Sequence, residues 1–384
     1  MQTWQLPEHI ADILPATARQ VESAKESLLK LFRVYGYELV NPPLLEYSES
    51  LMADRDPGLS LKTIRVVDQL SGLQLGLRAD ITPQVARIDA HLLAAHTGIN
   101  RLCYAGSVLH ARPDSLMSTR EPLQVGAELY GCASVDADIE LIDLMLRALR
   151  QNNVNDVFLS LGHIGVFRAL AKAANLSAED ADVLLQIMQT KDKQRVAEFV
   201  ATLALDGALE AAFLLLPTLY GGVETVALAK QALPVLPAIT AALAEVEAVC
   251  QAYAVETIHV DFADVRVDTY HTGLLFAAYA PGWSDAVARG GRYDQLGAQF
   301  GRGRPATGFS FDLRDLIKVL PQNKIRWGIK VAAAARHQAQ ANIEQLRTTG
   351  ETVVVDYLGQ SAKSLNCNRE LVYQDGQWQV VPCV

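Results

Sequence analysis

Apolar side chains recur at Val21, Ala24, Leu28, Leu31, Phe32 and Tyr35. That spacing predicts an amphipathic helix over 17–35, with Thr17 and Gln20 as a capping box and Gly36 as its stop. A short strand at 37–40 is closed by Asn41-Pro42-Pro43. Extended runs at 64–67 and 73–77, joined by Leu70-Ser71-Gly72, predict an antiparallel hairpin. Pro83 opens a helix reaching about His96, with Val85, Ile88, Leu92 and Leu93 on its apolar side. Strands at 102–109 and 124–130 bracket a loop at 111–122, and a helix over 136–150 turns Ile139, Ile142, Leu146 and Leu149 inward.

From about Gly162 to Cys250 the chain becomes Ala- and Leu-rich with helical spacing, broken at Gly221-Gly222 and between Pro234 and Pro237. Strand patterns return at 257–262 and 273–279. A glycine-rich stretch at 289–308, a strand at 309–311 and a helix at 313–320 come next. The last part reads as a strand near Ile329, a helix near Gln340, a strand at 353–355 and a hairpin around Asp375-Gly376. The pattern predicts an α+β protein: an antiparallel sheet flanked by helices in 1–161 and 251–320, a helical insertion at 162–250, and a small α/β unit at 321–384.

The 384 residues are 50% apolar and 20% charged, enough to bury a large core, and 43 acidic against 34 basic side chains leave a net charge of −9. That balance argues against a surface given over to nucleic acid, which relies on clustered Lys and Arg. The five cysteines contain no CxxC pair, so neither a zinc site nor a disulfide framework is readable, and reduced thiols in the cytoplasm are the expectation. Neither a secretory leader nor a membrane span is expected. There is no GxxxxGK[ST] loop, HExxH or GxSxG elbow, and no metal or cofactor is called for. Gly301-Arg302-Gly303-Arg304 is a basic glycine loop, read equally well as a phosphate contact or a plain turn.

Three stretches carry more information in combination. The first is Tyr35-Gly36-Tyr37-Glu38 through Asn41-Pro42-Pro43-Leu44-Leu45-Glu46. The second is Leu77-Arg78-Ala79-Asp80-Ile81-Thr82-Pro83, continued by Tyr104 to His110 and Arg120 to Gly131. The third is Gly290-Gly291-Arg292-Tyr293-Asp294 with Gly308-Phe309-Ser310-Phe311-Asp312-Leu313-Arg314-Asp315. In order and spacing they resemble the three class II motifs of histidyl-tRNA synthetase. Asp268-Thr269-Tyr270-His271-Thr272-Gly273 resembles that family's histidine-recognition segment. The resemblance spans roughly 5–320 and implies a class II aminoacyl-tRNA synthetase-like sheet with a cleft for an amino acid beside a bent ATP. Adenylation needs arginines at the triphosphate. Where the resemblance places them, this chain has His110 and Asp315, and Asp312 stands for a family glycine. A unit charge 4 Å from a phosphate oxygen is worth about 4 kcal/mol at an effective dielectric near 20, so reversing its sign swings roughly twice that. Arg314 is one residue away, but helical neighbours lie about 100° apart.

The amino-acid end is better matched. By resemblance, Asp80 would hold a ligand α-amino group, and Gln124 and Glu128 would face an imidazole, with Thr82, Arg266 and Tyr270 completing the pocket. Spacing by four keeps Gln124 and Glu128 on one strand face. A buried carboxylate needs a partner, a ligand or a structural ion pair, and Asp80 serves equally well as a cap for the helix opening at Pro83. The 64 residues from Pro321 carry seven basic and five acidic side chains, a net of +2 with no aromatic platform evident, a poor RNA surface. Taken together, these features are similar to the regulatory-subunit family of ATP phosphoribosyltransferase, non-catalytic paralogues of the synthetase. That similarity implies a short-form catalytic subunit as partner, a homodimer core within a hetero-octamer of four plus four, histidine as effector, and no tRNA. An active histidyl-tRNA synthetase and a stand-alone histidine sensor are the alternatives.

Overall fold

The computed structural model describes residues 3–51, 57–113, 115, 118–253, 257–263, 270–318 and 327–383. They belong to two compact units, Met1–Leu320 and Pro321–Val384. In the first, α1 (Pro15–Val34) leads to β1 (Glu38–Leu39), β2 (Leu45–Tyr47), α2 (Ser48–Leu51), α3 (Pro57–Lys62), β3 (Ile64–Val67) and β4 (Gln74–Leu77). Next come α4 (Thr82–Arg87), β5 (Asn100–Ser107), β6 (Leu123–Tyr130), α5 (Val135–Gln151) and β7 (Phe158–His163). The helical stretch comprises α6 (Ile164–Ala173), α7 (Ala178–Gln189), α8 (Lys193–Thr202), α9 (Gly207–Leu215), β8 (Tyr220–Gly221), α10 (Glu224–Ala232) and α11 (Pro237–Ala252). The unit closes with β9 (Thr257–Asp261), β10 (Leu274–Tyr279), β11 (Ala288–Arg292), β12 (Ala306–Asp312) and α12 (Leu313–Lys318).

Nine strands form one sheet in the order β1-β5-β6-β12-β11-β10-β7-β9-β8. Its interior from β5 to β7 is antiparallel, but β1 pairs β5 and β7 pairs β9 in parallel, so the sheet is mixed at its flanks. One face carries the main core: Val125 and Ala127 of β6 and Phe309 and Phe311 of β12 join Phe32 of α1 and Leu141 of α5. Phe167 of α6 and Val246 of α11 belong to the same buried cluster. The helical stretch therefore packs into the core of the sheet, with its breaks at Gly221-Gly222 and before Pro237 as the sequence predicts. A three-stranded sheet, β2-β4-β3, holds the expected hairpin and adds β2 to it.

Several local expectations need correcting. α1 starts at Pro15, and no side chain caps it, because a proline in the first turn supplies the right φ and has no N–H to satisfy. The Thr17–Gln20 capping box does not form. The helix opened by Pro83 changes at Ile88–Leu92 into a π turn and stops. The wider turn shifts the helical phase of its residues, leaving Leu92 66% exposed although its spacing predicts burial. β7 and β11 are strands the pattern missed. β11 lies in the glycine-rich stretch, where low strand propensity hides a packing need: a Cβ on Gly290 would sit 2.3 Å from the Gly308 carbonyl and 2.4 Å from Phe276 Cε2.

The second unit has β13 (Gly328–Ala332), α13 (Gln340–Thr348), β14 (Val353–Asp356), β15 (Cys367–Gln374) and β16 (Gln377–Pro382), ordered β14-β13-β15-β16. Asp375 and Gly376 both take positive φ, the geometry of a two-residue hairpin turn. That turn brings Tyr373 and Trp378 into ring contact at 5.3 Å. An aromatic pair is thus present where composition suggested none. Among the described residues, no helix is long and apolar enough to cross a membrane.

The strand carrying the third motif is tied to α5 through Arg292. Its guanidinium donates to Asp138 Oδ2 at 2.6 and 3.1 Å and to the Cys132 and Ser134 carbonyls at 3.0 and 3.2 Å. The Asp138 side chain is fully buried and that of Arg292 nearly so. Removing one partner of a buried pair strands the other charge. Asp138→Ala is expected to destabilise the first unit by about 3–5 kcal/mol, read as a lowered urea midpoint, with Asp138→Asn losing less. Equal midpoints for wild type and Asp138→Ala would remove the pair from any role in stability.

Candidate functional site

On the face of the nine-stranded sheet away from the main core, four central strands alternate small and polar positions. Cross-strand register aligns Tyr104 and Gly106 of β5 with Gly126 and Gln124 of β6, and these with Ser310 and Asp312 of β12. Glu128 lies opposite Gly308, which in turn faces Gly291 of β11. This face floors a cleft of about 790 Å³ whose lining includes Asp80, Thr82, Gln124, Glu128, Tyr270 and Tyr293. Five of the six residues expected at the amino-acid end are therefore brought together. The sixth, Arg266, lies outside the described residues.

Glu128, 1% exposed, is the deepest of them. Its Oε1 accepts the Tyr104 hydroxyl at 3.0 Å and the Thr82 hydroxyl at 3.2 Å, and its Oε2 accepts the Tyr293 hydroxyl. The Tyr130 hydroxyl lies 3.4 Å from that of Tyr293. Space for this cluster exists because two facing residues lack side chains. A Cβ at Gly308 would stand 1.5 Å from Glu128 Oε2, and one at Gly126 would stand 2.4 Å from the Tyr104 hydroxyl. Burial pushes the Glu128 carboxyl up to about 8; the hydroxyl bonds act in the opposite direction and the nearby Asp80 charge adds to the rise.

Asp80 sits at the mouth of α4, where its Oδ1 accepts the Thr82 backbone N–H at 3.0 Å. It fills the capping role and lines the cleft at once. Gln124 holds it there: the amide Nε2 donates to Asp80 Oδ1 at 2.7 Å and Ser310 Oγ at 3.2 Å, while Oε1 accepts the Ile81 N–H at 2.9 Å. With both amide hydrogens engaged, Gln124 positions Asp80 more than it presents a donor to the cleft. Tyr270 packs edge-on to Tyr293 at 5.8 Å and against His271 at 4.7 Å. Tyr104, Tyr293 and the two glycines lie within the motifs, but their roles depend on register, which period-two patterning alone cannot supply.

The cleft lining also holds charged residues of both signs, Lys62, Arg289 and Lys318 besides Asp312 and Asp315, the last standing where the resemblance calls for arginine. Lys318 donates to Asp315 at 2.5 Å. Burial, with the Asp315 charge next, raises the Asp312 carboxyl to about 6. Arg314 is turned aside, donating to the Glu121 carbonyl at 2.6 Å and to Glu121 Oε1 at 3.2 Å. His110 is buried at the cleft wall, its Nε2 3.1 Å from the Ala79 carbonyl, which makes that nitrogen the ring's donor. The basic glycine loop is structural: Arg302 donates to the Ala94 and His96 carbonyls at 2.8 Å each and Arg304 to those of His96 and Gly98. These guanidinium groups tie down the segment that follows the helix begun at α4.

Because Glu128 keeps its proton to about pH 8 when folded and loses it near 4.5 when unfolded, it binds more protons folded than unfolded between those values. Its contribution to stability is complete below the lower value and is lost as pH rises through this window. Glu128→Gln is expected to flatten the fall, by about 1.4 kcal/mol per pH unit, in urea titrations between pH 5 and 8. Parallel wild-type and variant curves would place the carboxyl's titration elsewhere.

Comparison with known proteins respects the division into two units. Residues 9–316 match the family model described as histidyl-tRNA synthetase, and residues 326–381 match that described as the ATP phosphoribosyltransferase subunit HisZ C-terminal domain. The ATP phosphoribosyltransferase regulatory subunit of Neisseria meningitidis serogroup C / serotype 2a is 58% identical over 382 residues, covering 99% of this chain and 100% of its own. That of Chromobacterium violaceum is 56% identical over 383 residues, covering 100% of both chains. Among solved structures, an ATP phosphoribosyltransferase regulatory subunit/histidyl-tRNA synthetase from Bacillus halodurans has a TM-score of 0.84 at 27% identity, covering 97% of this chain and 98% of that one. Histidyl-tRNA synthetase from Nostoc sp. PCC 7120 has a TM-score of 0.79 at 16% identity over 100% of this chain and 97% of its own, a likeness of fold.

Proposed function

The chain belongs to the family of ATP phosphoribosyltransferase regulatory subunits, and from that membership we propose that it performs no adenylation and renders a short-form catalytic subunit active and histidine-responsive in the first step of L-histidine biosynthesis. The observation that carries this reading is the asymmetry of the cleft. One end keeps a built pocket around Glu128; the other presents Asp312 and Asp315 to the place where a triphosphate would need cations. Of the arginines that could meet a developing negative charge on an α-phosphate, Arg314 is bound to Glu121, and Arg289, which also lines the cleft, is paired with Asp285.

Histidine is the proposed effector, seated with its ring toward Glu128 and its amino group toward Asp80. A binding site relieved of chemistry can still bias a partner, provided ligand and partner couple reciprocally, by 1 to 3 kcal/mol in typical cases. Leu39, Leu45, Tyr47, Val66 and Val67 are apolar and exposed on β1, β2 and β3, which supports an isologous two-fold dimer as the core of a four-plus-four assembly. In the second unit Lys330 pairs with Asp356 at 3.1 Å and Arg369 with Glu351 at 2.7 Å, which supports a unit that does not hold tRNA. A soluble cytoplasmic location accords with this role.

Purified chain is expected to show no histidine-dependent exchange of pyrophosphate into ATP, and to raise the activity of a short-form catalytic subunit on mixing. Exchange activity would instead establish a synthetase, and absence of any gain on mixing would leave a stand-alone sensor. Glu128→Ala is expected to weaken the histidine response at least tenfold while co-elution with the catalytic subunit persists. Unchanged feedback in that variant would put the effector at another site.

A further inference from the structure

Among the described residues the partners of the Glu128 carboxyl are all neutral. The hydroxyls of Thr82, Tyr104 and Tyr293 bond it, and among the described residues no lysine or arginine pairs with it. The titratable groups around it come from every packed element. Tyr104 is on β5, Tyr130 on its own strand, and Tyr293 just beyond β11. Asp80 precedes α4, Tyr270 and His271 precede β10, and Asp89 lies in the π turn. A carboxyl so enclosed has, among the described residues, no cation to stabilise its ionised form, and the ligand is a component able to bring one.

Resting on the reading of this cleft as a histidine pocket, we propose that Glu128 protonates the bound imidazole, so that histidine is held as an imidazolium against a carboxylate formed in place. The Glu128 O–H bond breaks, an N–H bond forms at the bare ring nitrogen, and no proton enters or leaves. The three hydroxyls then donate to a full carboxylate, the arrangement their geometry already describes. Burial keeps the empty site's carboxyl protonated at neutral pH, up to about 8. A free imidazole, titrating near about 6.5, arrives mostly neutral. The gap of about 1.5 pH units, roughly 30-fold against transfer, is covered by an adjacent opposite charge, which moves a pKa by about 1–3 units.

Histidine labelled with ¹⁵N at both ring nitrogens, bound to the full-length chain at pH 7.2, tests this by NMR. Both nitrogens are expected to resonate as protonated. One protonated and one bare nitrogen would overturn the proton transfer while leaving the pocket in place, provided Glu128→Gln still weakens binding. Glu128→Gln is expected to bind at least tenfold more weakly with a neutral ring. If Glu128→Gln does not fold, Tyr293→Phe replaces it, with an expected weakening of about three- to tenfold. Wild-type affinity and ring state in either variant, or no binding of labelled histidine at all, would overturn the pocket reading and the inference with it.

Discussion

The arrangement of the site depends on the cost of burying one carboxylate. Glu128 lies in the middle of a central strand, where an unpaired charge would cost several kcal/mol. The surrounding sequence answers that cost without supplying a cation. Tyrosine hydroxyls converge from two neighbouring elements, a threonine from the mouth of α4 adds a third donor, and glycines opposite give them room. Remove either glycine and a Cβ occupies the space of the carboxylate or its tyrosine partner. Gly308 of the third motif and Gly126 of the second are thus requirements of a polar pocket built on a sheet face.

The two ends of the cleft stand on the same scaffold but under different electrostatic rules. At the deep end, neutral hydrogen bonds surround a carboxyl group that burial keeps protonated in the empty state. Beside Asp315, burial and that neighbouring charge raise the cost of ionising Asp312, and Arg314 is bound to Glu121. Such a division suits a protein proposed to read the concentration of an amino acid and transmit it to a partner.

Much of this was legible along the chain. Long periodic segments such as α1, α5 and α11 announce themselves by apolar spacing, and the paired positions Gln124 and Glu128 fall on one face because strand side chains alternate. Elements whose residues answer to distant partners were not legible. β11 reads as a loop because its glycines serve Phe276 and β12, and the helix after Pro83 ends early because a π turn shifts its phase. The expected capping box at Thr17 gave way to Pro15, which needs no side-chain cap. Gln124 appeared as a ligand contact, and the structure gives its amide hydrogens to Asp80 and Ser310.

By itself the sequence determined the class of the protein, the order of its motifs and the altered charges at His110, Asp312 and Asp315, because residue identity and spacing are properties of the chain alone. Only the tertiary structure decided which donors meet Glu128, that Arg314 turns to Glu121, and that Arg302 and Arg304 tie down the segment after a helix. Those outcomes depend on register between strands far apart in sequence, such as Gly308 opposite Glu128. A shift of one residue in β6 would have turned Gln124 and Glu128 to the other face.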